Sequence, residues 1–317
     1  MKKRLIPHTD MELSVVGFGC WAIGRTWWGE DVEDENSEAA IQTALEQGIN
    51  WFDTAPLYGH GHADEILTKG LGAKRKDVVI ATKVGIRWDG KGKHATSDLS
   101  PKHLREDTEA SLRRLKIDTI PLLQVHWPCE RGTALEASLN TLLALKEEGK
   151  IRHFGLCNYD APALQFAIDH AQIATLQTPY SMMRREFDRK LAKTICGDDP
   201  RNREPRIGVL AYETLCRGLL TGKFKSVPKF PKSDLRSKDD RFKSLRFLRT
   251  LPFLLNLEKV AKRIAKPEGA IAIAWVLKQR GMTHAIVGAK RPEQVIENAQ
   301  AAALIDHPRL WAVVTHV

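Results

Sequence analysis

Residues 49–59 read INWFDTAPLYG: an apolar, β-favouring run ends on Asp53, and Tyr58 follows on the loop just beyond. An acid at the end of such a strand is a poor choice beside a dry core unless something pairs with it. The same layout recurs. Eight short β-rich runs follow one another: LSVVGFGCW (13–21), INWFDTA (49–55), DVVIATKV (77–84), TIPLLQVHW (119–127), IRHFGLCNY (151–159), ATLQTPY (174–180), RIGVLAYE (206–213) and HAIVGAK (284–290). They are near-continuously apolar rather than alternating, as strands buried on both faces are.

Segments with helical spacing lie between them, at 37–48, 63–72, 100–116, 134–149, 161–171 and in two stretches within 251–280. Ser100 is placed as an N-cap with Pro101 at the first helical position, and Gly48 and Gly149 stand where C-caps belong. Eight strand–helix units in 317 residues predict an α/β fold, a closed (β/α)8 TIM barrel, in one domain spanning 1–317. Residues 4–12 read as a short N-terminal hairpin plugging the barrel floor. A long loop follows the seventh strand, of the size usual for lids and binding loops.

The chain is 43% hydrophobic and 28% charged, as in ordinary globular proteins. No run is long enough to span a membrane, and no early segment has a signal-peptide layout, so neither membrane insertion nor export is expected. The five cysteines (Cys20, Cys129, Cys157, Cys196, Cys216) are scattered without a C-x-x-C pair, which predicts a reduced, cytoplasmic protein without disulfides or zinc. The net charge of +10 is not laid out as a helical stripe, so no nucleic-acid partner is expected. Much of it lies in 223–249, readable either as a solvated loop or as a contact for a phosphate-bearing small molecule.

In such barrels chemistry sits at the carboxyl ends of the strands. Here the second to sixth strands end on Asp53, Lys83, His126, Asn158 and Gln177. Singly, each has a structural reading: a turn-forming Asp, a snorkelling Lys, a hydrogen-bonded core His. Jointly, and with Tyr58 beyond Asp53, they are hard to obtain from burial alone. A free phenol, with pKa about 10, is a weak acid at neutral pH. A neighbouring ammonium would lower that value by an amount worth roughly 3–4 kcal/mol, and a carboxylate would keep the ammonium in place. With a histidine to orient a carbonyl oxygen, this equipment suits carbonyl reduction, the hydride coming from a cofactor.

At these residues the sequence closely resembles the aldo-keto reductase family, nearly end to end. The stretches that carry the resemblance are GFGCWAIG, GINWFDTAPLYGHG, VVIATKV, LLQVHWP, GKIRHFGLCNYD, YETLCRGLLTGK and GAKRPEQVIEN. GLLTGK followed by a long loop looks more like the bacterial and potassium-channel β-subunit branches than the aldose reductase branch. The resemblance implies NADP(H) as cofactor, Tyr58 as general acid, Lys83 and Asp53 as its tuning pair and His126 as the residue orienting substrate. It further implies cofactor contacts from Gly19, Cys20, Trp21, Asp53, Cys157, Asn158 and Gln177, with Tyr212 stacking on the nicotinamide ring. Leu215, Gly218, Leu219, Thr221 and Lys223 fall on the pyrophosphate loop, although the apolar GLL also reads as helix. Gly288, Lys290, Gln294 and Asn298 fall on the adenosine segment. Lys290 and Arg291 read either as a 2′-phosphate contact or as an exposed basic pair.

The chain departs from the family in Cys157, where Ser is common before the strand-five Asn, and in Glu213 and Thr214, where Ser-Pro usually follows the tyrosine. Glu213 places an acid near an anionic cofactor without evident reason. GFGCWAIG lacks dinucleotide-fold glycine spacing. His60 and His62 flank Gly61 in what reads as a turn, and no metal site is expected. Expected substrate contacts are Tyr58 and His126 with the tryptophans 21, 27, 28, 88 and 127, around a small carbonyl or sugar-like substrate. The other reading open is an NADP(H)-binding, redox-sensing regulatory subunit with little turnover.

Overall fold

The computed structural model describes residues 1–25, 28, 32–88, 95–307 and 310–311. Its strands are β1 (Lys3–Leu5), β2 (Glu12–Ser14), β3 (Val16–Gly19), β4 (Trp51–Asp53), β5 (Val79–Val84), β6 (Ile86–Trp88), β7 (Ala95–Ser97), β8 (Ile120–Val125), β9 (Ile151–Cys157), β10 (Thr175–Pro179), β11 (Gly208–Tyr212) and β12 (His284–Gly288). Eight of them close into a barrel in the order β3-β4-β5-β8-β9-β10-β11-β12, every neighbouring pair parallel. The helices are α1 (Asp34–Glu46), α2 (His62–Leu71), α3 (Pro101–Leu115), α4 (Leu135–Glu147), α5 (Ala161–His170), α6 (Glu186–Lys190), α7 (Ala192–Cys196), α8 (Ser244–Ile264), α9 (Glu268–Lys278), α10 (Pro292–Ala299) and α11 (Ala301–Leu304). The closed (β/α)8 TIM barrel expected from eight apolar runs is therefore what forms.

The barrel interior is layered, and the period-two geometry of a strand explains how. Trp51 and Asp53, Ala81 and Lys83, Leu122 and Gln124 each sit two residues apart and so share a face. The lower member of each pair joins an apolar floor with Leu210 and Ile286, closed from below by Ile6, Met11 and Leu13 of the β1–β2 hairpin. The upper members form a polar tier. Trp51 is fully buried, and its indole N–H donates to the Ser14 carbonyl at 2.8 Å, tying the hairpin to the barrel. Gly17 makes this possible, because a Cβ there would stand 2.2 Å from the Trp51 ring. Burying each large floor side chain contributes about 1.5–3 kcal/mol.

Several local expectations shift. Ser100 does precede α3, but its hydroxyl makes no capping bond; its own N–H donates to Asp98 Oδ1 at 3.0 Å. Gly48 and Gly149 lie one residue beyond the C-caps of α1 and α4, at φ 76° and 73°. The first helix expected within 251–280 starts earlier, at Ser244, and runs through Pro252. Proline reads as a helix start because its fixed φ suits the first turn, and here the helix instead takes it in its interior.

The 223–249 stretch keeps its lysines, Arg246 and Arg249 exposed, as the solvated reading has it, but an apolar cluster and a buried ion pair anchor it. Phe224, Phe230 and Phe242 pack on one another at 5.8, 5.4 and 5.1 Å between ring centroids. Arg236 is buried, gripping buried Asp234 at 2.5 Å. Its last residues, from Ser244, are the start of α8. Among the described residues, no helix is long and apolar enough to cross a membrane.

Candidate active site

The register sets the site. Gly19 aligns with both Gly288 and Asp53, Lys83 with Gln124, and Gln177 with Cys157, so the ends of consecutive strands meet at one mouth. The turn after β4 carries Tyr58. It is pinned where Gly59, at φ 65°, passes so close to the Gly24 carbonyl that a Cβ would stand 2.2 Å from its oxygen.

At the centre lies Lys83, 1% exposed. Its Nζ donates to Asp53 Oδ1 at 2.7 Å, to the Thr54 carbonyl at 3.0 Å and to Tyr58 Oη at 3.2 Å. An ammonium has three N–H donors, and all three are used. Asp53, also buried, accepts on its other oxygen from Gln177 Nε2 at 2.8 Å and Gln124 Nε2 at 3.3 Å. This closure of hydrogen bonds is what makes a buried ion pair tolerable. Gln124 escaped the sequence reading, although a polar residue two positions before His126 in an apolar strand was the signal.

One expectation is corrected here. The phenol of Tyr58 was expected below its ordinary pKa because of Lys83. Instead burial pushes it well up, with Asp53 adding to the rise, and the pull of Lys83 only moderates it. Burial also works against the Lys83 ammonium, but Asp53, Tyr58 and Cys157 raise its pKa overall. At neutral pH the phenol is therefore protonated and the ammonium charged. Burial, followed by the charge of Lys83, holds His126 well below the ordinary histidine range, so its ring is neutral. The His126 and Tyr58 rings meet edge-on, centroids 6.0 Å apart.

Aromatic walls surround this group. Trp127 stacks on His126 at 4.6 Å and is 38% exposed, while Trp88 packs on the same Ala55, Leu57 and Ile86 cluster as Tyr58 and tilts onto His60 at 5.2 Å. Trp21 and Trp28 meet each other at 5.1 Å, with Arg217 over Trp21 and Arg236 over Trp28. They thus stand toward the loop after β11. Trp27 lies outside the described residues. His62 pairs with Asp34 at 2.9 Å.

The remaining expected residues lie at the ends of neighbouring strands and in the segments after β11 and β12. Cys20 N–H donates to the Asp53 carbonyl at 2.8 Å, and both Cys20 and Cys157 are buried with burial raising their thiols. Asn158, at φ 65°, donates to the His126 carbonyl at 3.0 Å and accepts from Tyr212 Oη at 2.8 Å. Beyond Tyr212, Leu215 opens a short 3₁₀ segment, Cys216–Thr221, broken by left-handed Arg217 and Gly218, so the apolar GLL is not a regular helix. The left-handed run Cys216, Arg217, Gly218 bends the backbone in a way that suits an anion. Leu219 points into the core, Thr221 bonds the Gly218 carbonyl, and Lys223 lies over Phe224. Across the β3–β12 seam, Lys290 N–H donates to Gln294 Oε1 at 2.8 Å, and Lys290 and Asn298 are each only 8% exposed.

Glu213 now has a physical account. Its carboxylate pairs with Arg184 (3.1 Å), Arg217 (3.0 Å) and Arg241 (3.4 Å), while Asp239 takes second bonds from Arg217 and Arg241. Burial pushes its pKa up, but the guanidinium groups of Arg241 and Arg217 overcome this and hold it below the usual carboxylate range. Arg184 also pairs with Glu186 at 3.8 Å, so three cations meet three anions and the cluster is balanced. Glu213 ties the loop after β11 to the 234–243 segment rather than opposing an anion.

The sequence profile of the Aldo/keto reductase family matches residues 15–307. The chain is 36% identical to Aldo-keto reductase YhdN of Bacillus subtilis, over 93% of its own length and 87% of that protein's. It is 33% identical to the NADH-specific methylglyoxal reductase of Escherichia coli, covering 95% and 93%. The structure of a glycerol dehydrogenase from Gluconobacter oxydans superposes with a TM-score of 0.87 at 35% identity, covering 99% of this chain and 94% of that one. The chain belongs to the aldo/keto reductase family of oxidoreductases.

Proposed function

We propose that the protein is an NADPH-dependent carbonyl reductase in which Tyr58 delivers the proton. The carrying observation is Lys83 Nζ between Asp53 Oδ1 (2.7 Å) and Tyr58 Oη (3.2 Å), buried at the barrel mouth beside neutral His126. A nicotinamide cofactor bound along the mouth supplies the hydride. The chain's residues fit such a group: the left-handed run at 216–218 suits a pyrophosphate, and Tyr212 offers an aromatic face beside Asn158 and Gln177. Protonated Tyr58 donates to the substrate oxygen as charge develops there. Lys83 donates to the phenol oxygen and stabilises the phenolate left behind, and Asp53, gripped by Gln124 and Gln177, keeps Lys83 in position. His126 donates a ring N–H to the same substrate oxygen, and Trp88 and Trp127 wall the carbonyl carbon's substituents.

One similar protein acts on methylglyoxal and another on glycerol, which supports small polar carbonyls or sugar-like compounds as substrates. The first of these is NADH-specific, so the choice of NADPH rests on Lys290 and Arg291, a basic pair at the start of α10 suited to a 2′-phosphate. Initial rates over a panel of small aldehydes and ketones test the reading. NADPH should exceed NADH in kcat/KM by at least about tenfold, and Lys290→Met should lower the NADPH value alone. Equal use of both cofactors by the unmodified chain overturns the phosphate assignment, and no turnover with either overturns the reductase.

A further inference from the structure

Asp64, in the first turn of α2, is fully buried, and the chemistry proposed above makes no use of it. An acid in a first turn ordinarily answers the helix dipole from the surface, as exposed Glu65 beside it can. The side-chain partners of Asp64 both lie outside its own helix. Its Oδ1 accepts from the Thr54 hydroxyl at 2.6 Å, and its Oδ2 accepts from Arg114 Nε of α3 at 3.1 Å. Burial raises its pKa, and the Thr54 bond and Arg114 counter the rise. Enclosing a carboxylate is unfavourable unless its partners are in place, so one at this position calls for a reason beyond filling space.

The position of Thr54 supplies that reason. It directly follows Asp53, the last residue of β4, and is itself fully buried. Its N–H donates to the Ala81 carbonyl at 2.8 Å, and its carbonyl accepts from Lys83 Nζ at 3.0 Å. The next carbonyl, of Ala55, accepts from the Tyr58 N–H at 2.9 Å and so opens the turn that carries the phenol. Beyond the turn, the Ala63 N–H returns to the Tyr58 carbonyl at 3.2 Å. Tyr58 thus stands on a loop that begins at Thr54 and ends at Asp64, and the 2.6 Å bond between their side chains closes that loop at its base. Arg114 fastens the closed base to α3; its stem runs so near Gly61 that a Cβ there would stand 3.0 Å from its Cδ.

We propose that Thr54 and Asp64 are positioning residues for the reduction, their side-chain bond clasping the 54–64 loop so that Tyr58 Oη stays within reach of Lys83 Nζ. This rests on the reductase reading given above. The contact to Tyr58 is the longest of the three that Lys83 makes, at 3.2 Å against 2.7 and 3.0 Å. Asp53 and Thr54 fix the ammonium from strand ends, whereas the phenol is fixed only as well as its loop is. A misplacement of about 1 Å at a reacting group slows turnover by about 10². The clasp takes no part in proton transfer; Thr54 and Asp64 keep their protons and charge throughout.

The test compares three variants of the full chain. Thr54→Val keeps the side-chain shape and removes the hydroxyl, while Thr54→Ser keeps the hydroxyl. Thr68→Val is the structural comparison: the Thr68 hydroxyl bonds the Asp64 and Arg114 carbonyls, at 2.7 and 3.3 Å, without touching the loop base. In hydrogen–deuterium exchange, Thr54→Val should speed the amides of Tyr58, His62 and Ala63 by about tenfold or more, with the other two variants unchanged there. In steady-state rates with NADPH and a small aldehyde, Thr54→Val should lower kcat at least about tenfold with the KM for NADPH within about twofold. Thr54→Ser and Thr68→Val should keep kcat within about twofold of the unmodified chain. Unchanged exchange or unchanged kcat in Thr54→Val overturns the proposal. So does an equal loss of kcat in Thr68→Val at the same loss of Tm, which would make the effect one of general stability. An unmodified chain that turns over nothing removes the reductase reading and the positioning role with it, while the exchange comparison still decides whether the clasp holds the loop.

Discussion

Replacing Lys83 by methionine separates what the buried ion pair does for the fold from what it does for the chemistry. Methionine roughly matches the stem of lysine, so little volume is lost, but Asp53 is left buried with only the two glutamine amides as partners. Removing one member of a buried pair costs about 3–5 kcal/mol. For 317 residues the unfolding entropy is about 0.7 kcal/mol per kelvin, so Tm should fall by about 5–7 °C. Turnover should fall by about 10²–10⁴, because the phenolate loses its ammonium. The double variant Lys83→Met, Asp53→Asn discharges the stranded carboxylate. It should regain at least half of the lost Tm and none of the lost turnover. Thermal melts and steady-state rates on the two variants decide the matter. A single variant that melts within a degree of the unmodified protein would show that the pair is not what makes burial tolerable, and recovery of turnover in the double variant would refute the role of the ammonium.

Tyr58→Phe should lower kcat by about 10²–10⁴ while NADPH affinity, followed by fluorescence quenching, stays within about twofold; full activity would remove Tyr58 as the acid. Glu213→Ala leaves Arg217 and Arg241 with Asp239 alone and Arg184 with only Glu186, and should cost about 3 kcal/mol, seen as a Tm lower by about 4 °C. His284, sealed beside Trp51, has its pKa pushed by burial from 6.5 down to about 3. A histidine depressed in the fold contributes stability that is fully present above about pH 6.5 and lost as pH falls toward 3, at up to about 1.4 kcal/mol per pH unit. Urea unfolding at pH 6 and pH 4 should show this loss in the native chain and a shallower one in His284→Phe; identical slopes would contradict it.

The barrel was legible because eight apolar runs separated by helical periods leave few alternatives, and the tyrosine–lysine pair because ionisable residues at consecutive strand ends have no burial rationale. What the sequence concealed was of another kind. Gln124 looked like one polar residue in an apolar strand, and its value depends on Asp53 arriving from a strand seventy residues earlier. Glu213 looked misplaced because its partners Arg184 and Arg241 come from separate loops. The 223–249 stretch carried charge in plain view, but the three phenylalanines that fold it meet only in space. Local pattern reports periodicity and end positions; it does not report which distant charge will neutralise which.

The direction of the Tyr58 shift changes how the proposed chemistry has to operate. Had Lys83 lowered the phenol toward neutrality, the resting site would hold a partly ionised tyrosine, useful as a base but depleted as an acid. Burial instead keeps the proton on Tyr58, so the acid is fully loaded before reduction begins. The same burial penalises the phenolate formed once the proton leaves, and that penalty is what the Lys83 ammonium, already charged and fully hydrogen-bonded, is positioned to offset. The lysine then acts on the charge that appears during the reaction rather than on the resting acid. Because Asp53, Gln124 and Gln177 fix it beforehand, no reorganisation is needed at that moment, which is the condition under which a buried charge lowers a barrier most.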